Sequence, residues 1–362
     1  MNRLKSKHGI YELLLKDNKI KESKMKVRKI YVTAPWKIGV VEEEQKLQIE
    51  NPNEIIIENL FSHLSAGTEM ACVSGIESWF PLPNTPGYTA VGKVLEKGAN
   101  VTKADVGDIV YTFGPHASHF KIDVTDRFHG VCVKVPEGLA PDIASFTHMG
   151  GIAITALRTS NIELGDVVAV SGLGAIGNLA AQFAQMQGAT VIATDINDAR
   201  IKIAKKSRIQ HAINITHTKF TDALKEITGK ESVYCWIDAS GQAAVVEESL
   251  NYVTANGEMI LLGSPRAEYQ SNLTATLQKI HLLDNIKIKS ALEFTFPTHQ
   301  NDFNKHSIER NSEIIMNLMN NGALHIKPIF SHKLKPEDAA SAYFALKDKP
   351  DEYIGVVFDW KS

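Results

Sequence analysis

From Met25 to about Leu139, apolar residues come in short runs broken by turn signals. Val27–Val32, Glu54–Asn59, Val91–Glu96, Asp108–Phe113, Ser118–Ile122 and Val131–Val135 read as strands. Asn51-Pro52-Asn53, Pro86-Gly87, Lys97–Asn100, Val106-Gly107-Asp108 and Pro136-Glu137-Gly138 punctuate them. Many short strands of this kind predict a barrel-like β unit. Beyond Pro141 the period changes. Asp142–Thr159 reads as helix, Val167–Val170 as strand, Ile176–Gln187 as helix and Thr190–Thr194 as strand. A helix from Asp198 to Ser207 comes next, then strands at Ile213–Asn214, Val233–Ile237 and Glu258–Leu262. Short apolar strands alternating with helices predict an α/β unit with a doubly wound parallel sheet. The alternation lapses around Ala291–Pro297. Helices at Asn311–Met319 and Pro336–Leu346 and a strand at Ile354–Phe358 close the chain.

Length and composition narrow the class. The 362 residues fit two domains. Lys and Arg number 39 against 41 Asp and Glu, a net charge of −2. That balance gives no general attraction to nucleic acid or an anionic membrane. No apolar run is long enough to span a bilayer. Cys72, Cys132 and Cys235 are far apart and form no CxxC pair, which argues against a disulfide framework or a cysteine-rich zinc lobe and for a reducing, cytoplasmic setting. Residues 1–24 are rich in Lys and read as an N-terminal extension, with room for a helical turn or two at Ile10–Leu15.

The most informative segment is Val167–Gly177. Gly172, Gly174 and Gly177 fit G-x-G-x-x-G between an expected strand and an expected helix, the context this motif requires. Gly172 allows the tight turn, Gly174 the approach of a pyrophosphate, and Gly177 close helix–sheet packing. The N–H groups that open the helix, at Ala175, Ile176 and Gly177, offer an anion site. Asp195 closes the second strand 18 residues beyond Gly177, near the ~20 expected for an acid on the adenosine ribose. It favours NAD and disfavours the 2′-phosphate of NADP. Arg200 leaves NADP open, because it could accommodate that phosphate or pair with Asp195. Ala239 and Ser240 end one further strand and Gly263 and Ser264 another, so these loops are expected to face the nicotinamide.

With these motifs in order, the chain resembles the medium-chain dehydrogenase/reductase superfamily, the relatives of zinc alcohol, sorbitol and threonine dehydrogenases. The resemblance runs from Met25 to Trp360. It includes Ser65-Ala66-Gly67-Thr68-Glu69, Pro86–Gly92, Val106–Val110, the glycine turn and Ile192–Lys205. It implies a GroES-like β-barrel catalytic domain at 25–154, a Rossmann NAD-binding domain at 155–295 and a return to the catalytic domain at 296–362. It also implies a homodimer through the edge of the Rossmann sheet, expected at Glu258–Ser264 and the Ala267–Thr276 loop.

The family's zinc does not carry over. Its three ligand positions hold Ala66, Tyr88 and Gly151, and no four-Cys lobe is present. His116 and His119 have H-x-x-H spacing, but ordinary packing or solvent-facing roles account for them better than metal ligation. His63 is either a cleft residue or a packing one.

Catalysis must then come from hydrogen-bond donors aimed at the substrate oxygen. The resemblance gives Thr68 the role of contacting that oxygen. Tyr88 is either a phenolic acid, with an ordinary pKa near ~10, or a ring filling the vacated metal cavity. The resemblance implies that Glu69 either orients neighbours or is a surface or structural carboxylate, and His148 is a further acid–base candidate. Trp79 and Phe80 either line the substrate mouth or anchor a loop. These readings predict a zinc-independent, NAD-dependent oxidoreductase acting on a small-molecule secondary alcohol, with a polyol, sugar or cyclitol in view. The alternatives are an NADPH-dependent quinone or enoyl reductase and a non-catalytic dinucleotide-binding protein.

Overall fold

The computed structural model describes residues 24–362. The extension at 1–23, with the turn expected at Ile10–Leu15, lies outside the described residues. The chain opens with an antiparallel hairpin of β1 (Met25–Ala34) and β2 (Lys37–Gln45). The sequence reading misses β2, because four of its nine residues are charged. β3 (Glu54–Leu64) is buried along almost its whole length and runs through the middle of a seven-stranded sheet. The other members are β4 (Ala90–Lys97), β5 (Ile109–Thr112), β6 (His119–Asp123), β7 (Cys132–Lys134), β14 (Phe330–Leu334) and β15 (Gly355–Asp359). The sheet order is β14-β15-β3-β4-β5-β7, with β6 also paired to β3. Strands from the end of the chain thus complete the sheet begun at its start.

The expected helix at Asp142–Thr159 is two segments, Pro141–Ala144 and Thr147–Thr159, broken at Ser145-Phe146. The longer one packs on the helices Ala175–Met186 and Ile308–Asn320. Through it the β-rich part and the parallel sheet share one apolar core, in which Phe113, Phe146 and Met149 join Val168 and Leu179.

The second sheet is α/β and wholly parallel. It contains β8 (Val167–Ser171), β9 (Thr190–Asp195), β10 (His211–Asn214), β11 (Val233–Asp238), β12 (Val253–Leu261) and β13 (Lys287–Ser290), in the order β10-β9-β8-β11-β12-β13. This is the doubly wound order 3-2-1-4-5-6, and its switch point lies between β8 and β11. Every residue of β8 is buried, as a strand covered on both faces requires.

The sheet edge differs from expectation. β12 is an interior strand, and Glu258 on it is fully buried, held by Asn161 and Lys289. The true edge is β13, which a Lys-rich four-residue segment hides in the sequence. Exposed Leu282, Leu283, Ile288, Leu292 and Phe294 lie on and around it. Among the described residues, no helix is long and apolar enough to cross a membrane.

Candidate active site

The glycine turn sits at the switch point. Gly172 has φ +85°, and a Cβ there would meet the Ser240 backbone at 2.9 Å. At Gly177 a Cβ would fall 1.8 Å from the Gly172 carbonyl oxygen, so the helix can approach this closely only with glycine. At Gly174 nothing lies within 4 Å of a Cβ. Two glycines are thus fixed by packing, while the third faces open space. Gly174 also caps the helix Ala175–Met186 without any side-chain hydrogen bond, and no acidic residue stands in its first turn. The first N–H groups are left for an anion.

Asp195 is buried. Its Oδ2 accepts from the Leu173 N–H at 2.7 Å and its Oδ1 from the Asn197 N–H at 2.9 Å, so the carboxylate is fixed beside the turn. An Arg200 guanidinium nitrogen stands 3.6 Å from Asp195 Oδ2, and the buried Arg200 Nε has no hydrogen-bond partner. Asp238 has a structural role. Its carboxylate accepts from Ser171 Oγ at 2.7 Å, Ser240 Oγ at 2.5 Å and the Gly241 N–H at 3.1 Å. The Gly263 N–H donates to the Asp238 carbonyl at 2.7 Å, and a Cβ at Gly263 would lie 2.5 Å from the Gly241 nitrogen. Ala239, Ser240, Gly263 and Ser264 therefore belong to two loops stacked at the carboxyl end of the sheet. These features fit a dinucleotide: open space at Gly174, free helix N–H groups, and an acceptor at the end of the second strand.

The opposite wall is built from the end of β3 and the helix directly after it. Ser65 starts that helix, Ala66–Ser74, which carries Thr68 and Glu69 and was not expected from the sequence. Glu69 Oε1 accepts from the Ser65 N–H at 2.8 Å, while Oε2 meets His116 Nε2 at 2.8 Å and accepts from the Tyr343 hydroxyl at 2.6 Å. His116 Nδ1 lies 2.7 Å from Ser62 Oγ, which also accepts from Trp360 Nε1–H at 2.8 Å. Glu69 thus orients neighbours and ties the end of the chain to this wall. Gly87, at φ +100°, lets the Pro86-Gly87 turn lie on the His116 ring, where a Cβ would clash at 2.7 Å. His116 is therefore a hydrogen-bonded anchor, while His119 is partly exposed and turned elsewhere.

Tyr88 and His148 meet edge to face at 4.8 Å, and His148 stacks on Phe113 at 4.2 Å. Burial pushes the Tyr88 hydroxyl up from its ordinary range; Glu69 adds to this, and Ser65 and Thr68 act in the opposite sense. The phenol is thus a stronger candidate for a held hydrogen-bond donor than for an acid that gives up its proton. His148 Nδ1 lies 3.1 Å from the Tyr88 carbonyl oxygen, and Nε2 lies 2.8 Å from Glu293 Oε2. Glu293 is absent from the sequence reading. Its Oε1 stands 2.6 Å from where a Cβ at Gly151 would be. His63, 1% exposed, has no partner on either ring nitrogen. Burial, then the neighbouring His116 and His148, lower its pKa to about 3.

Glu77, in the loop after this helix, accepts from Arg266 Nε and from Trp79 Nε1, each at 2.8 Å. Arg266 lies just beyond the Gly263-Ser264 loop, so this pair ties that loop to the one after Ala66–Ser74. Trp79 itself is 62% exposed. Burial pushes the Cys72 and Cys132 thiols up to about 12, which leaves no thiolate character for nucleophilic work.

Residues 175–310 match the family model described as zinc-binding dehydrogenase. Among similar proteins, D-guloside 3-dehydrogenase of Escherichia coli K12 is 27% identical, over 92% of this chain and 100% of that protein. L-threonine 3-dehydrogenase of Chelativorans is 24% identical, over 92% and 98%. Over these spans the chain is similar to zinc-type dehydrogenases. Of solved structures of that fold, galactitol-1-phosphate dehydrogenase of Escherichia coli superimposes with a TM-score of 0.78 at 16% identity, covering 92% of this chain and 99% of that one.

The residues do not fit the zinc that such dehydrogenases usually bind. Ala66 and Gly151 have no donor atom, and Tyr88 alone cannot supply a tetrahedral site. Among the described residues, no group of three or more His, Cys, Asp or Glu is arranged to hold a metal ion.

Proposed function

We propose that the chain is an NAD-dependent dehydrogenase that interconverts a secondary alcohol and its ketone without zinc. The observation that carries this reading is Asp195, fixed against a glycine turn whose Gly174 faces open space. When bound, the dinucleotide would accept or return the hydride. The chain would hold its pyrophosphate on the Gly174–Gly177 turn and its ribose hydroxyls on Asp195. Thr68 and Tyr88 would donate hydrogen bonds to the substrate oxygen, and the raised Tyr88 pKa keeps that donor in place. The sugar and amino-alcohol dehydrogenases among the relatives support a small hydroxylated substrate, with polyol, sugar or cyclitol as the class to test. A homodimer through β13 is part of the proposal, supported by its open edge and the exposed apolar residues around it.

One observation favours a second reading. The unpartnered Arg200 Nε beside Asp195 is a ready partner for a 2′-phosphate, as an NADPH-dependent quinone or enoyl reductase would need. Hydride transfer measured with NADH and NADPH on panels of ketones, quinones and enones separates the two. Turnover of a ketone with NADH supports the first reading, and NADPH-driven reduction of quinones or enones alone overturns it.

A further inference from the structure

Two buried His–Glu pairs flank this cleft, and hydrogen-bond accounting sets them apart. At His116 every contact is satisfied by a neutral ring. The Trp360 N–H donates to Ser62 Oγ, the Ser62 hydroxyl donates to Nδ1, and Nε2–H donates to an ionised Glu69. At His148 a neutral ring beside an ionised Glu293 sets two lone pairs face to face, so the resting pair holds one proton more. Nδ1 faces the Tyr88 carbonyl, which only accepts, so Nδ1 carries a hydrogen. Nε2 faces a carboxylate oxygen at 2.8 Å, so a proton must lie between them, on the ring or on Glu293. His148 is 3% and Glu293 7% exposed, too buried for water to relieve a lone-pair clash.

We propose that the His148–Glu293 pair is the proton reservoir of the reaction: it gives the shared proton to the ketone oxygen on reduction and takes one from the alcohol hydroxyl on oxidation. The inference rests on the dehydrogenase reading and extends it, because Glu293 lies in none of the family motifs found in the sequence. The step balances. On oxidation the substrate C–H bond breaks with its electron pair passing to the nicotinamide. The O–H bond breaks with its proton passing to the unloaded pair, and the carbon–oxygen double bond forms. Reduction reverses each transfer. Gly151 is part of the device, since Glu293 Oε1 lies where a side chain at 151 would begin. Titratable groups that face the pair are Tyr88, Tyr111 and His63. Tyr88 and Tyr111 are pushed up by burial and His63 down, so all three stay neutral around neutral pH.

The test compares the full-length wild type with E293Q and H148Q. A Gln at 293 donates its amide N–H to Nε2, so the ring becomes neutral and the extra proton is lost. Difference potentiometric titration of the ligand-free proteins should show the wild type carrying one more releasable proton than E293Q. Both variants should bind NADH as the wild type does and lose about 100-fold or more in kcat, the scale of general acid–base catalysis. The wild-type pH slopes, falling with pH for reduction and rising for oxidation, should flatten in both. Variants that keep wild-type kcat and pH slopes overturn the reservoir. A wild type that binds NADH but turns over no alcohol or ketone overturns the dehydrogenase reading instead. In that case the titration still judges the pair, and the absence of an extra proton overturns it as well.

Discussion

Glu293 reaches into the space that a side chain at Gly151 would occupy, its Oε1 2.6 Å from an ideal Cβ at that position. Related zinc enzymes place a ligand at position 151, according to the resemblance. Here Gly151 supplies no side chain, and the Glu293 carboxylate fills that space instead. The positions that lack zinc donors border the buried His148–Glu293 pair.

Gly151→Ala tests that relationship without altering a charge. The new methyl must displace the Glu293 carboxylate, the end of a flexible side chain, so the fold should survive with a loss of about 1–3 kcal/mol. Turnover should fall by about tenfold or more with NADH affinity unchanged. Thermal melting, NADH titration and steady-state rates on one preparation check this; wild-type turnover in the variant contradicts it.

The glycine turn predicts a split between folding and binding. Gly177→Ala puts a Cβ 1.8 Å from the Gly172 carbonyl oxygen and should destabilise the protein, by about 1–3 kcal/mol. Gly174→Val sets its Cβ where nothing lies within 4 Å, so melting should change little while NADH affinity drops by about tenfold or more. Denaturation curves and fluorescence titration of the two variants distinguish a phosphate cradle from a merely tight turn.

Under the proposed function, Asp195 and Arg200 would set cofactor choice. Asp195→Ser removes the carboxylate that would repel a 2′-phosphate and frees Arg200, 3.6 Å away, to bind one. The ratio of kcat/KM for NADH over NADPH should fall by about tenfold or more, equivalent to about 1.4 kcal/mol. An unchanged ratio would remove Asp195 from cofactor recognition.

His63 makes the fold acid-sensitive. Its folded pKa, about 3, lies below the ordinary 6.5, so the unfolded chain binds a proton that the folded chain refuses. The stability this site contributes is complete above about pH 6.5 and is lost as pH falls toward 3, up to an order of 4–5 kcal/mol. His63→Met keeps the volume and removes two unpartnered nitrogens. Acid unfolding followed by circular dichroism should shift to lower pH in this variant; an unshifted or higher midpoint contradicts the assignment.

Local spacing decided what could be read in the sequence. The turn at Gly172–Gly177, the acid at Asp195 and the alternation of strands with helices are signals carried within short windows, and the structure assembles them at one switch point. The wall opposite depends on contacts between distant parts of the chain. Glu293 meets His148 across 145 residues, and Tyr343 meets Glu69 across 274. Neither contact leaves a periodic or motif signature. The short edge strand β13 and the charged β2 were likewise hidden, because pairing with a neighbouring strand rather than their own apolar content forms them.

Hydride transfer without zinc is open to a decisive check in one preparation carried through chelation, elemental analysis and assay with NAD on a polyol and sugar panel. Turnover is expected to be unchanged when zinc is far below one ion per chain, and zinc addition should not raise it. Stoichiometric zinc, with activity lost on its removal and restored on its return, would contradict a zinc-free mechanism.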